Sequence, residues 1–139
     1  MEAFRGTILV IDDETDTCEV MRDRLESMGY QAVTATTGKQ GLELLERHTP
    51  HLVLLDIEMP GMNGLEVLKE IRKREPDVVV VMITAHGTLE RAVQAMREGA
   101  DDFIPKPFEP DHMALIVKKA LERETLRRGV ELLSEELDH

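Results

Sequence analysis

The sequence is short of several things, and each shortage removes a class of protein. A single cysteine, Cys18, leaves no internal disulfide framework and no multi-cysteine metal site. Tryptophan is absent and Tyr30 is the one tyrosine, which is little with which to stack a flat cofactor such as a flavin. The longest purely apolar stretch, residues 78–83, is far too short to span a bilayer. The start, MEAFRGTILVIDD, lacks the basic-then-apolar layout of a signal peptide. Basic charge is outnumbered, with 17 Lys and Arg against 28 Asp and Glu, so the net charge is −11. Such a chain is itself repelled by nucleic acid and by anionic membranes. If it controls DNA, something attached to it must do the binding. The expected setting is the cytoplasm, with no membrane partner.

What remains is a globular composition, 42% hydrophobic and 32% charged, in 139 residues, enough for one domain with a full core. Short apolar runs alternate with longer helical patterns. Strands are expected at 7–11, 31–35, 52–55, 78–83 and 102–104. Helices are expected at 14–28, stopped by Gly29, and at 37–48, with Leu42, Leu44 and Leu45 inward. Asn63 with Glu66 three residues on reads as a capping box opening a third helix, and Pro76 follows its end. A fourth helix at 88–98 is ended by Gly99, and a fifth starts near Asp111. This alternation predicts an α/β fold: a doubly wound, five-stranded parallel sheet with helices on both faces and right-handed crossovers.

The chain is expected to divide into a domain at 1–123 and a C-terminal linker helix or tail at 124–139. Met113, Ile116, Val117, Ala120 and Leu121 form the core stripe of the last helix; Leu126, Val130, Leu133 and Leu137 then recur at coiled-coil spacing. That seam does not continue the upstream register, because it would place Lys119 and Arg123 in the seam. Against a helix stands Arg127-Arg128-Gly129, a stop signal.

In a parallel sheet every strand delivers its C-terminal end to the same edge, where ligands bind at the point of strand-order reversal. Strand one ends in Asp12-Asp13, strand three in Asp56, strand four in Thr84, and strand five just before Lys106. In the flavodoxin-like order 2-1-3-4-5, Asp12, Asp13 and Asp56 meet. Three adjacent carboxylates repel, so either some stay protonated or a cation sits among them. Oxygen donors alone select a hard divalent ion, Mg²⁺ first. A carboxylate can act as nucleophile in phosphoryl transfer. Lys106 then supplies a point charge and Thr84 a hydroxyl donor for the phosphoryl oxygens. Taken singly, each has a plainer role: Asp12 and Asp13 favouring a helix N-terminus, Asp56 in a turn, Thr84 as a cap, Lys106 solvated. Their conjunction at four strand ends is what points to chemistry.

ILVIDDE, LVLLDIEMPGMNG, VMITAHG and GADDFIPKPF resemble the successive signatures of the response-regulator receiver family, over about residues 7–123. The resemblance implies that Asp12 and Asp13 help to hold Mg²⁺ with Asp56 and the backbone carbonyl of Glu58. It implies that Asp56 takes a phosphoryl group from a His-phosphate on a sensor histidine kinase. Thr84 would move toward that group, Lys106 would pair with it and precede a cis peptide at Pro107, and Phe103 would fill the aromatic switch position. Pro60 and Gly64 would shape the loop after Asp56, and Glu58 and His86 stand at positions that tune phosphoryl lifetime. The domain would be no enzyme beyond promoting its own phosphorylation and dephosphorylation. GTLERAVQAMREGADDFIPKPFE resembles receivers joined to sigma-54-dependent activators of the nitrogen-regulation type. Transcription is thus the expected output, and a stand-alone or kinase-attached receiver acting by protein contact is the alternative. A homodimer through helix four, strand five, helix five and the C-terminal helix is expected, its affinity changed by phosphorylation.

Two other classes compete. A haloacid-dehalogenase-like phosphatase also uses an aspartyl nucleophile, and Asp56-Ile57-Glu58 faintly resembles its motif, but that motif follows the first strand. A flavodoxin-like binding module needs a Ser/Thr-rich phosphate loop where this chain has Asp12-Asp13-Glu14. Cys18 is read as structural and without a partner. His48, His51, His112 and His139 sit at element edges and suggest no phosphohistidine or metal site. The eight Met are read as packing.

Overall fold

The structure is a computed structural model that describes residues 6–59, 61–84, 89–106 and 109–137; for Leu89 and residues 127–137 it describes the backbone alone. The elements run β1 (Thr7–Ile11), α1 (Thr15–Ser27), β2 (Gln31–Ala35), α2 (Gly38–His48), β3 (Leu52–Asp56), α3 (Gly64–Arg74), β4 (Val79–Thr84), α4 (Leu89–Arg97), β5 (Asp102–Pro105) and α5 (Pro110–Leu137). All pairings are parallel, in the order β2-β1-β3-β4-β5. The expected fold class and strand order are those observed.

β1, β3 and β4 are buried along their whole length because helices cover both faces. Alternate residues serve two cores. Leu9, Ile11, Val53, Leu55, Val80 and Met82 pack with α2 and α3 and with Ala95 of α4. Ile8, Val10, Leu52, Leu54, Val79, Val81 and Ile83 pack with Cys18, Met21 and Leu25 of α1 and with Met113, Ile116, Val117 and Ala120 of α5. The edge strands β2 and β5 are only partly buried.

Helix starts shift by a residue from the sequence expectation where the cap lies outside the helix. Thr37 caps α2 by accepting from the Gln40 N–H at 3.1 Å. Asn63 and Glu66 form the expected capping box on α3. The last helix runs on into the tail. The chain does not break at Arg127-Arg128-Gly129: α5 is one helix of 28 residues from Pro110 to Leu137. A mid-helix glycine costs about 1 kcal/mol, and the strong helix formers on either side outweigh it. The core stripe gains buried Glu124, while Leu126 is 69% exposed; Val130, Leu133 and Leu137 lie outside the described side chains.

At the end of the strands away from the acidic cluster, Arg72 fastens α3 to the starts of β4 and β5. Its guanidinium donates to the carbonyls of Gly99, Pro76 and Val78 and to Asp101 Oδ2. Asp101 Oδ2 also accepts from the Val80 N–H at 2.9 Å, and Arg123 of α5 donates to the Asp101 carbonyl at 3.1 Å. His51, an element-edge residue in the sequence, accepts the first amide of β1 on Nδ1, 3.1 Å from Thr7 N.

Candidate functional site

Parallel strand polarity brings the polar residues together where the apolar runs end. Asp12 follows β1, anchored by its N–H on the Ala35 carbonyl. Its Oδ1 accepts from the Glu14 N–H at 2.9 Å, closing the turn into α1. Asp56 ends β3, and its Oδ1 accepts from the Glu58 N–H at 3.0 Å. Thr84 ends β4 and is buried; its carbonyl accepts from the Lys106 N–H at 2.7 Å, which fixes Lys106 directly after β5. The Lys106 ammonium then reaches back across the sheet edge. It stands 3.0 Å from Asp12 Oδ2, 3.4 Å from Asp56 Oδ2 and 3.3 Å from Glu14 Oε1.

Asp12 and Asp56 are almost wholly buried, whereas Asp13 is exposed. Burial, then the Asp12 charge, pushes the Asp56 carboxyl up to about 7, against the opposing pull of the Glu58 N–H and the Lys106 charge. Burial alone would lower the Lys106 ammonium, but its contact with Asp12 and the charges of Asp56 and Asp12 outweigh burial and hold it above the ordinary lysine value. Lys106 is therefore a permanent cation here. It does not satisfy the cluster. Asp12 Oδ2 is buried and accepts no hydrogen bond, with the Lys106 ammonium 3.0 Å away as its counter-charge. One oxygen each from Asp12, Asp13 and Asp56 fall within 4.8 Å of one another. An all-oxygen set with one unbonded buried oxygen fits a hard divalent cation.

Gly64 explains how α3 approaches so closely. A Cβ there would collide with the Asp56 carbonyl and with Ile57 Cα, so only glycine lets the helix start against the backbone of Asp56. Phe103 is half-buried against the α2–α3 side of the sheet, beside Met82 in the ladder. Pro60, His86 and Pro107, with its expected cis peptide, lie outside the described residues, as does His139. The Glu58 side chain does not lie over the cluster; it pairs with Arg91 of α4 at 2.7 Å. Three features escaped the sequence reading. Glu14 pairs with Lys106, Arg91 pairs with Glu58, and Cys18 has partners after all. The Cys18 thiol donates to the Asp12 carbonyl at 3.3 Å and, more distantly, to Ala35 O at 3.8 Å. Burial, then Asp12, pushes that thiol up to about 11, so it stays protonated and supports the turn that carries Asp12. The Asp12-Asp13-Glu14 run was a signal for the first pairing; no sequence pattern marked the other two.

A sequence description of the response regulator receiver domain matches residues 8–118, and the chain belongs to that family. It is 42% identical over 130 residues to the nitrogen assimilation regulatory protein NtrX of Azorhizobium caulinodans, covering 92% of this chain and 29% of that protein. It is 40% identical over 117 residues to the DNA-binding transcriptional regulator NtrC of Escherichia coli, covering 84% of this chain and 25% of that protein. The chain thus spans less than a third of these relatives. Among solved structures, the receiver domain of NtrX from Brucella abortus superposes with a TM-score of 0.80 at 43% identity, covering 83% of this chain and 98% of that one. NtrX from Brucella abortus in complex with ADP gives 0.90 at 41% identity, covering 94% of this chain and 30% of that one.

Proposed function

We propose that Asp56 is the phosphoacceptor of this receiver, charged by a phosphohistidine on a sensor kinase. The observation that carries the reading is Lys106 Nζ standing between Asp12 Oδ2 and Asp56 Oδ2 over a three-carboxylate cluster. An Asp56 oxygen forms the new bond to phosphorus as the phosphorus–nitrogen bond of the donor breaks; the imidazole nitrogen leaves with that electron pair. Charge on the transferred group spreads over its equatorial oxygens. Lys106 pairs with one of these, and the Thr84 hydroxyl donates to another. Asp12, Asp13, Asp56 and the Glu58 carbonyl would hold Mg²⁺, which when bound would supply charge to offset the carboxylates and the phosphoryl oxygens. The group is later lost to water, and no separate substrate is turned over.

Phosphorylation adds close to two negative charges and three acceptors at Asp56, favouring the state in which Thr84 and Lys106 reach inward. Space left by Thr84 is filled by Phe103, and the α4–β5–α5 surface repacks. That surface carries exposed Val93, Met96 and Leu115, continued by Leu126 along α5, and is the proposed homodimer face. The output is transcription, carried by segments beyond the receiver, as the names of the relatives suggest. Among the described residues no helix is long and apolar enough to cross a membrane; the proposed setting is the cytoplasm.

Intact mass after treatment with acetyl phosphate and Mg²⁺ tests the central reading. One phosphoryl group is expected on the wild type, and none on Asp56→Asn or in excess chelator. Unchanged labelling of the Asn variant overturns the assignment.

A further inference from the structure

Two side chains face each other beside the acceptor without belonging to the set that meets the phosphoryl group. Arg91, in the first turn of α4, places Nη1 2.7 Å from Glu58 Oε2. Glu58 is fixed at its other end, because its N–H is bonded to Asp56 Oδ1 at 3.0 Å. Its main chain therefore stays beside the acceptor, while its carboxylate has the length and the rotamers to sit either over the acceptor or away from it. Arg91 settles that choice with a charge-assisted bond.

The choice matters because of the charge already present. Asp12, Glu14 and Asp56 lie within 3.4 Å of the Lys106 ammonium, and Asp13 adds a further carboxylate beside Asp12 and Asp56. The donor is an anion, so a further free carboxylate beside Asp56 would oppose its approach. We propose that Arg91 is a positioning residue for phosphoryl uptake, holding the Glu58 carboxylate away from Asp56 and cancelling its charge. Arg91 acts through Glu58 and does not touch the reacting atoms. The inference rests on Asp56 being the phosphoacceptor.

Both partners are substantially exposed, 52% for Arg91 and 41% for Glu58. Exposed pairs add little to stability, so variants at either position fold. Rate can then be separated from folding.

The experiment follows uptake by the full chain from acetyl phosphate with Mg²⁺, read as intact mass against time. In that reaction an Asp56 oxygen bonds to phosphorus, the bond from phosphorus to the bridging oxygen breaks, and acetate leaves with the electron pair. Arg91→Ala is expected to slow uptake roughly three- to tenfold at low salt, with the deficit shrinking as salt rises. Arg91→Lys keeps most of the wild-type rate, because it restores the charge. In a Glu58→Gln background Arg91→Ala changes the rate by less than about twofold, since no carboxylate remains to be held. Melting temperatures stay close to the wild type throughout. Wild-type uptake in Arg91→Ala, an equal deficit in the Gln background, or a deficit independent of salt overturns the inference while leaving Asp56 as acceptor. Failure of the wild type to label, or labelling of Asp56→Asn, overturns both.

Discussion

Arg72 and Asp101 meet at 2.9 Å at the end of the strands opposite the acidic cluster, 29 residues apart in sequence. Their side chains are only 19% and 11% exposed, so neither is a surface ion. Each answers a main-chain need. Arg72 satisfies carbonyls at Gly99, Pro76 and Val78, and Asp101 satisfies the Val80 amide of β4.

Removing the Arg72 fork takes a donor from each of those carbonyls and the closest cation from Asp101, which keeps the Val80 amide and the more distant Arg123. Arg72→Ala is expected to cost about 1–3 kcal/mol. Arg72→Lys recovers only part of it, since an ammonium cannot span that set of acceptors. Urea denaturation of the three proteins checks this; a loss under about 0.5 kcal/mol would mean that water replaces the network.

The raised Asp56 carboxyl sets a pH dependence with a definite sign. In the unfolded chain an aspartate titrates near 4; in the fold, burial and Asp12 push Asp56 up to about 7. The folded state thus holds a proton that the unfolded state releases, so Asp56 favours folding most below pH 4 and its contribution is lost as pH rises through 7. Without divalent metal, the stability of the wild type relative to Asp56→Asn is expected to fall by a few kcal/mol between pH 4 and 7, at about 1.4 kcal/mol per pH unit. Denaturation midpoints of both proteins in chelator at pH 4.5, 6 and 7.5 measure it, and a constant difference would contradict it.

Two glycines after Asp56, Gly61 in the loop and Gly64 at the start of α3, separate backbone strain from collision. At Gly61 a Cβ meets nothing within 4 Å, but φ is +78°, so Gly61→Ala costs about 1 kcal/mol in backbone strain. At Gly64 the added Cβ collides with the Asp56 backbone itself. Gly64→Ala is expected to lose about 2 kcal/mol or more, on the order of an overpacked core, and to shift the amide resonance of Glu58, which reports the bond to Asp56. Gly61→Ala leaves that resonance nearly in place.

The strand order and the acid cluster were legible because strand polarity does the sorting. Val79 to Ile83 offer no polar side chain, and the run stops at Thr84; the same punctuation follows Ile11 and Leu55. Side-chain partnerships were less visible because they depend on register and rotamer. Asp101 falls between the Gly99 helix stop and the strand at 102–104 and carries no signal of its own in the sequence, yet it is the hub of the far end of the sheet. The Glu58–Arg91 pair joins residues 33 apart through the placement of α4, which periodicity does not set. Arg127-Arg128-Gly129 carries stop chemistry, and the helix passes through it because local preference is weaker than an unbroken backbone ladder.

Lys106 is 92 residues from Glu14 and 50 from Asp56 along the chain, yet one ammonium touches both. It reaches them only after β5 has docked on β4, β4 on β3 and β3 on β1. The cluster is therefore a keystone: its lysine counter-charge comes from the far side of the sheet switch, so the acids of β1 and β3 meet their cation only when β4 and β5 hold their places in the sheet.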